Sequence, residues 1–172
     1  MISYQYSKKV LKKAIIKIKD ENIKSVNSLN RVVSSNVFCG INYPTGDNAA
    51  FDGYAINSQD TKNIKKNLPK KFKIIGLIAA GNKPFKKKIK RYDAVEIMTG
   101  GIIPKGFDTI IPIEKIILYP NENNKKYILI NKKIKKHNHV RFAGSDFQKK
   151  EIVVKKNTII QPNHILAFKT LG

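Results

Sequence analysis

The sequence is short of cysteine, arginine and acid. Cys39 is its only cysteine, which excludes an internal disulfide and makes a reducing cytoplasm the economical setting. A zinc site is also poorly served, because His137 and His139 share one loop and His164 lies far along the chain. Tryptophan is absent, and Asp plus Glu number 12 against 34 Lys plus Arg. No apolar run approaches the length that spans a bilayer, Ile74–Ala80 being among the longest. The first residues do not read as a secretory signal, since Val10–Ile18 is interrupted by Lys12, Lys13 and Lys17. Walker loops, dinucleotide fingerprints and nucleophile elbows are missing too.

What is abundant is lysine, and the formal net charge is +22. A nucleic-acid or anionic-surface binder is one reading, because a basic protein gains by releasing counterions from phosphates. Compositional drift is the other. The basic residues are scattered and accompany abundant Ile and Asn, as AT-rich codon usage would give. Arginine, which grips phosphates and base edges bidentately, occurs only at positions 31, 91 and 141. The composition therefore argues against nucleic acid, while the charge still steers small anions toward the protein.

At 172 residues with 41% hydrophobic content, the chain is long enough for one ordinary domain or two small ones without staples. Ser7–Lys19 predicts an amphipathic helix, with Ser7 as N-cap and Val10, Leu11, Ala14, Ile15 and Ile18 on one face. Ser25–Val33 predicts a shorter one, and Asn57–Lys71 an exposed connection. Strand signals fall at Phe72–Ala80, Val95–Met98, Thr109–Pro112, Ile113–Leu118 and Tyr127–Ile130, with Tyr119–Lys126 as a hairpin loop. These define a compact β-domain. Ile152–Val154 and Thr158–Ile160 read as further strand pieces around a left-handed Asn157. His164–Leu171 reads as a helix closed by Gly172.

Three glycine-containing turns could carry chemistry. Asp47-Asn48-Ala49-Ala50-Phe51-Asp52-Gly53-Tyr54-Ala55 places two scarce aspartates five residues apart on what reads as a tight, irregular path. Thr99-Gly100-Gly101 follows a strand and could offer several N–H groups and a hydroxyl to an oxyanion. In Arg141–Asp146, one of the three arginines precedes an aspartate, as a structural ion pair or an anion contact. Asp47, Asp52 and Asp146 together could hold a hard cation such as Mg²⁺, a matter their separation in sequence leaves open. The densest basic run, Pro84–Arg91, is read as a solvated face.

In these turns the chain resembles the molybdopterin molybdenumtransferase family, the molybdenum insertion enzymes related to the gephyrin E domain. Asp47–Ala55 is similar to the family's DNSAMDGYA signature. Ala80-Gly81-Asn82-Lys83-Pro84 resembles its AG-x-x-P turn, and Ile97–Gly101 with Pro104-Lys105-Gly106 its IMTGAPxPxG run. Asp108–Glu114 resembles its D-AVVPVE strand, Val140–Asp146 its V-R-x-x-G-E-D segment, and Leu166–Gly172 its A-x-L-A-S-L-G helix. The ordered motifs span nearly the whole chain.

The resemblance implies an α+β, β-rich fold. N-terminal helices join a discontinuous mixed domain (1–45 and 137–172), into which a compact β-domain (46–136) is inserted. The family's molybdopterin-binding α/β domain and C-terminal β-domain have no counterpart in these residues, so the chain is expected to be an N-terminal fragment or split-gene product. The implied activity is insertion of molybdate into adenylylated molybdopterin, with release of AMP and involvement of Mg²⁺. The implied assembly is a homodimer, or a complex with a partner chain that carries the remaining domains. Asp52, Thr99 and Asp146 are the implied catalytic residues, with Asp52 and Asp146 as candidate metal ligands. Asp47, Asn48, Gly53, Gly100, Gly101 and Arg141 are the implied substrate contacts. Several positions depart from the family: Thr45-Gly46 stands for Pro-Phe, Ala49 for Ser, Phe51 for Met, and Ser145 for Glu. The alternatives are a basic module that binds RNA or a protein through a lysine surface around Lys86–Arg91, or a non-functional remnant.

Overall fold

The computed structural model describes residues 2–14, 18–82 and 85–171. The chain divides into two compact units, Met1–Val37 with Ile152–Thr170, and Phe38–Glu151. Residues 38–45 and 137–151 thus fall in the second unit, where the sequence expectation had placed them in the first. The cause is backbone pairing within that unit. Tyr43 bridges Phe147, and the strand Asn48–Ala49 pairs with Val140–Arg141.

In the first unit, α1 spans Tyr4–Lys13. Its N-cap is Ser3, whose Oγ accepts the Tyr6 N–H at 3.3 Å, so Ser7 lies inside the helix and not at its start. The helix ends at an extended Ala14. Of the expected continuation to Lys19, residues 15–17 lie outside the described residues, and 18–19 are not helical. The helix expected over Ser25–Val33 is reduced to the 3-10 turn Ser25–Asn27. Asn30 at φ 62° cannot continue a right-handed helix. Residues 31–33 instead lie antiparallel to 158–160 through the Val32–Ile159 bridge, with Asn30 N–H to Ile160 O at 3.0 Å and Val33 N–H to Thr158 O at 3.0 Å. Asn157 adopts the left-handed conformation its position predicts, with φ 65°. Val33, Val154 and Ile160 form a small buried cluster, against which Ile165 and Phe168 of α2 (Pro162–Leu171) pack. The expected closing Gly172 lies outside the described residues.

The chain passes through β1 (Val37–Phe38) and β2 (Asn48–Ala49) into a six-stranded sheet. Its strands are β3 (Gly53–Ile56), β4 (Lys70–Ile78), β5 (Asp93–Ile97), β6 (Thr109–Pro112), β7 (Ile117–Tyr119) and β8 (Tyr127–Ile130), in the order β6-β3-β5-β4-β8-β7. β9 (Val140–Arg141) and β10 (Ile152–Val154) complete the strands. All neighbouring pairs in the sheet are antiparallel except β4 with β5. Alternation sorts the side chains into two cores. Tyr54, Ile56, Phe72, Ala94, Ile111 and Ile128 fill one face, and Ala55, Ile78, Val95, Ile97, Phe107 and Ile110 the other.

Three expectations need revision here. Asp47–Ala55 is not one irregular path, because it contains β2 and the start of β3, a strand buried along its whole length. Ile113–Leu118 opens with a 3-10 turn, Ile113–Lys115, before β7 begins. Asn57–Lys71 is not wholly exposed. It carries the 3-10 turn Ser58–Thr61, in which Ser58 and Thr61 are buried. The turn is pinned by Asp108, which accepts the Ser58 N–H and hydroxyl at 2.7 and 2.8 Å.

Candidate functional site

All nine residues singled out by sequence lie in the second unit, and β2 is where their three turns meet. Asn48 and Ala49 pair with Arg141 and Val140 along one side. On the other side, the Ala49 N–H donates to Gly101 O at 3.0 Å and the Gly100 N–H to Ala49 O at 2.8 Å. Asp47 ties both flanks: its backbone carbonyl accepts the Ile103 N–H at 2.9 Å, and its Oδ1 accepts the Ala143 N–H at 2.9 Å. Asp47 is therefore a bracing residue that joins positions 96 apart in sequence.

Asp52 sits at the turn between β2 and β3, exposed to solvent. Its Oδ1 accepts both the backbone N–H and the hydroxyl of Thr99, each at 2.7 Å. The backbone N–H, followed by the hydroxyl, holds the Asp52 carboxyl below its ordinary pKa. Gly53 follows because no side chain fits there. A Cβ would lie 2.1 Å from the carbonyl oxygen of Ile111 on β6. Gly53 therefore serves strand packing.

The oxyanion nest expected at Thr99-Gly100-Gly101 is not formed. The Thr99 N–H is given to Asp52, the Gly100 N–H to Ala49 O, and the Gly101 N–H to Met98 O at 2.8 Å. Gly100 is needed for its φ of 79°, and Gly101 because a Cβ would lie 2.8 Å from Ile97. These glycines let the turn close against β2, and the group the turn presents is the Asp52 carboxylate.

The third turn is built on charge. The Arg141 guanidinium is ion-paired with Asp146 Oδ2 and donates to it, while the Ser145 hydroxyl reaches Asp146 Oδ1 at 3.3 Å. The hydrogen bond from Arg141 holds Asp146 below its ordinary pKa, and Asp146 in turn raises that of Arg141. Ser145 thus supports its neighbouring carboxylate. Backbone bonds from Gly144 to Pro44 O and from Asp146 to Tyr43 O anchor the loop.

The set expected for a hard cation is not assembled. Among the described residues, no three His, Cys, Asp or Glu side chains are grouped to hold a metal ion. Asp146 is paired with Arg141, and Asp47 accepts the Ala143 N–H.

Two features escaped the sequence reading. Asn48 is 7% exposed, and its buried Oδ1 has no hydrogen-bond partner among the described residues. The β2 pattern hides this, because an Asn after an Asp reads as turn chemistry. The loop before β9 carries His137 and His139 at φ 62° and 54°. Their rings meet Phe142 and Phe51 edge-on, with centroids 5.0 and 4.9 Å apart. Nothing in local spacing links Phe51 to His139.

The α+β, β-rich fold of this chain is shared with solved proteins of molybdopterin biosynthesis. The structure is similar to a crystal structure titled molybdopterin biosynthesis moeA protein, from Pyrococcus horikoshii OT3. The TM-score is 0.78 at 28% identity, covering 88% of this chain and 38% of that one. The molybdopterin molybdenumtransferase of Haemophilus influenzae is 29% identical over 168 residues, which is 98% of this chain and 39% of that protein. That of Bacillus subtilis is 28% identical over 146 residues, 85% of this chain and 34% of that protein. The family described as MoeA N-terminal region (domain I and II) matches residues 2–172, and the chain belongs to it. The chain spans well under half the length of these relatives. They favour the transferase reading over a basic binding module. No helix among the described residues is long and apolar enough to cross a membrane.

Proposed function

We propose that this chain supplies the N-terminal part of a cytoplasmic molybdopterin molybdenumtransferase, whose substrates are molybdate and adenylylated molybdopterin and which releases AMP. The observation that carries the reading is the Asp52 carboxylate, fixed by two donors of Thr99 where three turns converge on β2. Both donors go to Oδ1, and the residue is exposed to solvent. A carboxylate kept ionised in this way is a weak base, suited to orient a water or to attract a cation by its charge. Asn48 Oδ1, buried and lacking a donor, suits an N–H or O–H of the substrate. Arg141, with Asp146 as its positioning partner, suits a substrate phosphate.

For Mg²⁺, these residues do not form a protein-only cage. At these three turns Asp52 is the carboxylate suited to hold it, since Mg²⁺ is commonly bound by one or two carboxylates together with substrate phosphates and water. Bound there, the ion would neutralise phosphate charge. A homodimer, or a partner chain that carries the remaining domains, completes the proposal. It is supported by α1, none of whose residues is buried and which exposes Tyr4, Tyr6, Val10 and Leu11.

The test combines this chain with a polypeptide that carries the remaining length of the relatives. Molybdate-dependent AMP release from adenylylated molybdopterin is then measured. Release that requires both polypeptides is expected. Absence of release from the mixture, with each part folded, would overturn the reading.

A further inference from the structure

A second feature of the Phe38–Glu151 unit belongs to none of the three turns. It is a depression of about 490 Å³ between the 3-10 turn Ser58–Thr61 and the segment 133–136. Its rim carries Lys62, Lys133, Lys135 and Lys136, together with Ser58 and Gln59, and no carboxylate lines it. The frame beneath these lysines is fixed. The Ile134 N–H donates to the buried Thr61 hydroxyl oxygen at 2.9 Å, and the Thr61 hydroxyl donates to Ser58 O at 2.7 Å. The Thr109 hydroxyl holds Lys135 O at 2.9 Å. Ile134 is buried as the floor, so its neighbours Lys133 and Lys135 are turned outward.

Two acids are fixed beside the Ser58–Thr61 turn. Asp108 accepts two hydrogen bonds from Ser58 and keeps its negative charge, one against the four lysines of the rim. Asp60 pairs with Arg91 at 3.6 Å and accepts the Tyr92 N–H at 3.0 Å. Among the described residues, none of the four lysines forms an ion pair. Four like charges on a rigid concave rim repel one another, and a multiply charged anion relieves that repulsion at several points at once.

We propose that this depression binds a compact polyphosphate anion, either free or as the phosphate tail of a nucleotide. Its volume is that of a small-molecule site, and lysine binds phosphate as a point charge. The rim offers no aromatic face for stacking bases and no arginine fork, which single-stranded RNA recognition would use. The inference is independent of the proposed transferase site.

The experiment is calorimetric titration of the full chain with inorganic tripolyphosphate at low ionic strength. One-to-one binding is expected. Lys133→Ala with Lys136→Ala should weaken it about tenfold or more. Lys86→Ala with Lys88→Ala removes the same charge from exposed residues of the basic run, and should change affinity less than about twofold. Titration with ATP distinguishes the two sources, since affinity well above that of tripolyphosphate identifies a nucleotide. Equal losses in the two double variants would overturn the proposal, as would an absence of binding. So would RNA binding that both double variants weaken alike, because the attraction would then be delocalised.

Discussion

Two turns of the same unit each hold an aspartate in its ionised form, by different physics. Asp52 is held by neutral donors, the N–H and hydroxyl of Thr99, and is followed directly by a strand too tightly packed for a side chain. Asp146 is held by a charge, Arg141, in an exposed loop whose Gly144 has a φ of 71°. Neutral donors fixed by backbone set one oxygen's direction and leave the carboxylate its negative charge. A guanidinium cancels that charge. This difference is why Asp52, and not Asp146, is assigned the reacting carboxylate, and why Asp146 is given a positioning role.

The sharpest way to break the comparison is through the glycines. Gly53→Ala puts a methyl 2.1 Å from the Ile111 carbonyl oxygen, forcing β3 and β6 apart at a cost of about 3 kcal/mol. A melting temperature lowered by roughly 10 °C is expected. Gly144→Ala meets only ordinary contacts, the nearest at 3.4 Å from Asn42, and costs about 1 kcal/mol for its left-handed backbone. If the two variants melted together, the tight strand fit behind Asp52 would be wrong.

Thr99→Val removes the hydroxyl donor and keeps the backbone one. The Asp52 pKa should rise part of the way toward its ordinary value, and Thr99→Ser should restore it; carboxylate NMR titration reads both. An unchanged Asp52 in Thr99→Val would mean that the backbone bond alone sets its state.

The smallest effect is on pH and salt. Both aspartates have folded pKa values below the unfolded one. Each therefore contributes stability that is present above the ordinary carboxylate pKa and lost as pH falls through the depressed value, so acid below about pH 4 destabilises the fold. Raising salt should move the Asp146 titration upward, because its partner is charged, and should leave that of Asp52 in place. Equal salt responses would erase the distinction between the turns.

Much of the fold could be read in the residues. The strands Thr109–Pro112 and Tyr127–Ile130 were bounded by Pro, Gly and Asn signals and occur where expected. The helices were over-extended, because apolar spacing in Ser25–Val33 suits a helix while Asn30 and long-range pairing with 157–160 decide otherwise. β3 was obscured by Asp52-Gly53, which reads as a turn in isolation.

At the candidate site, local sequence could name residues but not the tertiary bonds that surround them. The glycines after Thr99 suggested an anion nest, and tertiary bonds to Ala49 and Met98 take those N–H groups. Asp47 stands out in the sequence as a scarce acid, but its bond to Ala143 is non-local and no spacing shows it. The lysines at 62, 133, 135 and 136 form no single run in the sequence, and only the fold brings them to one rim.

The central claim is that Asp52 is the working carboxylate of a molybdenum-insertion site to which this chain contributes. It is tested most directly by molybdate-dependent AMP release, comparing Asp52→Asn with Asp146→Asn in the reconstituted protein. The account predicts that Asp52→Asn lowers kcat about a hundredfold, with the fold intact, and that Asp146→Asn acts mainly on KM. Wild-type turnover by Asp52→Asn would contradict it.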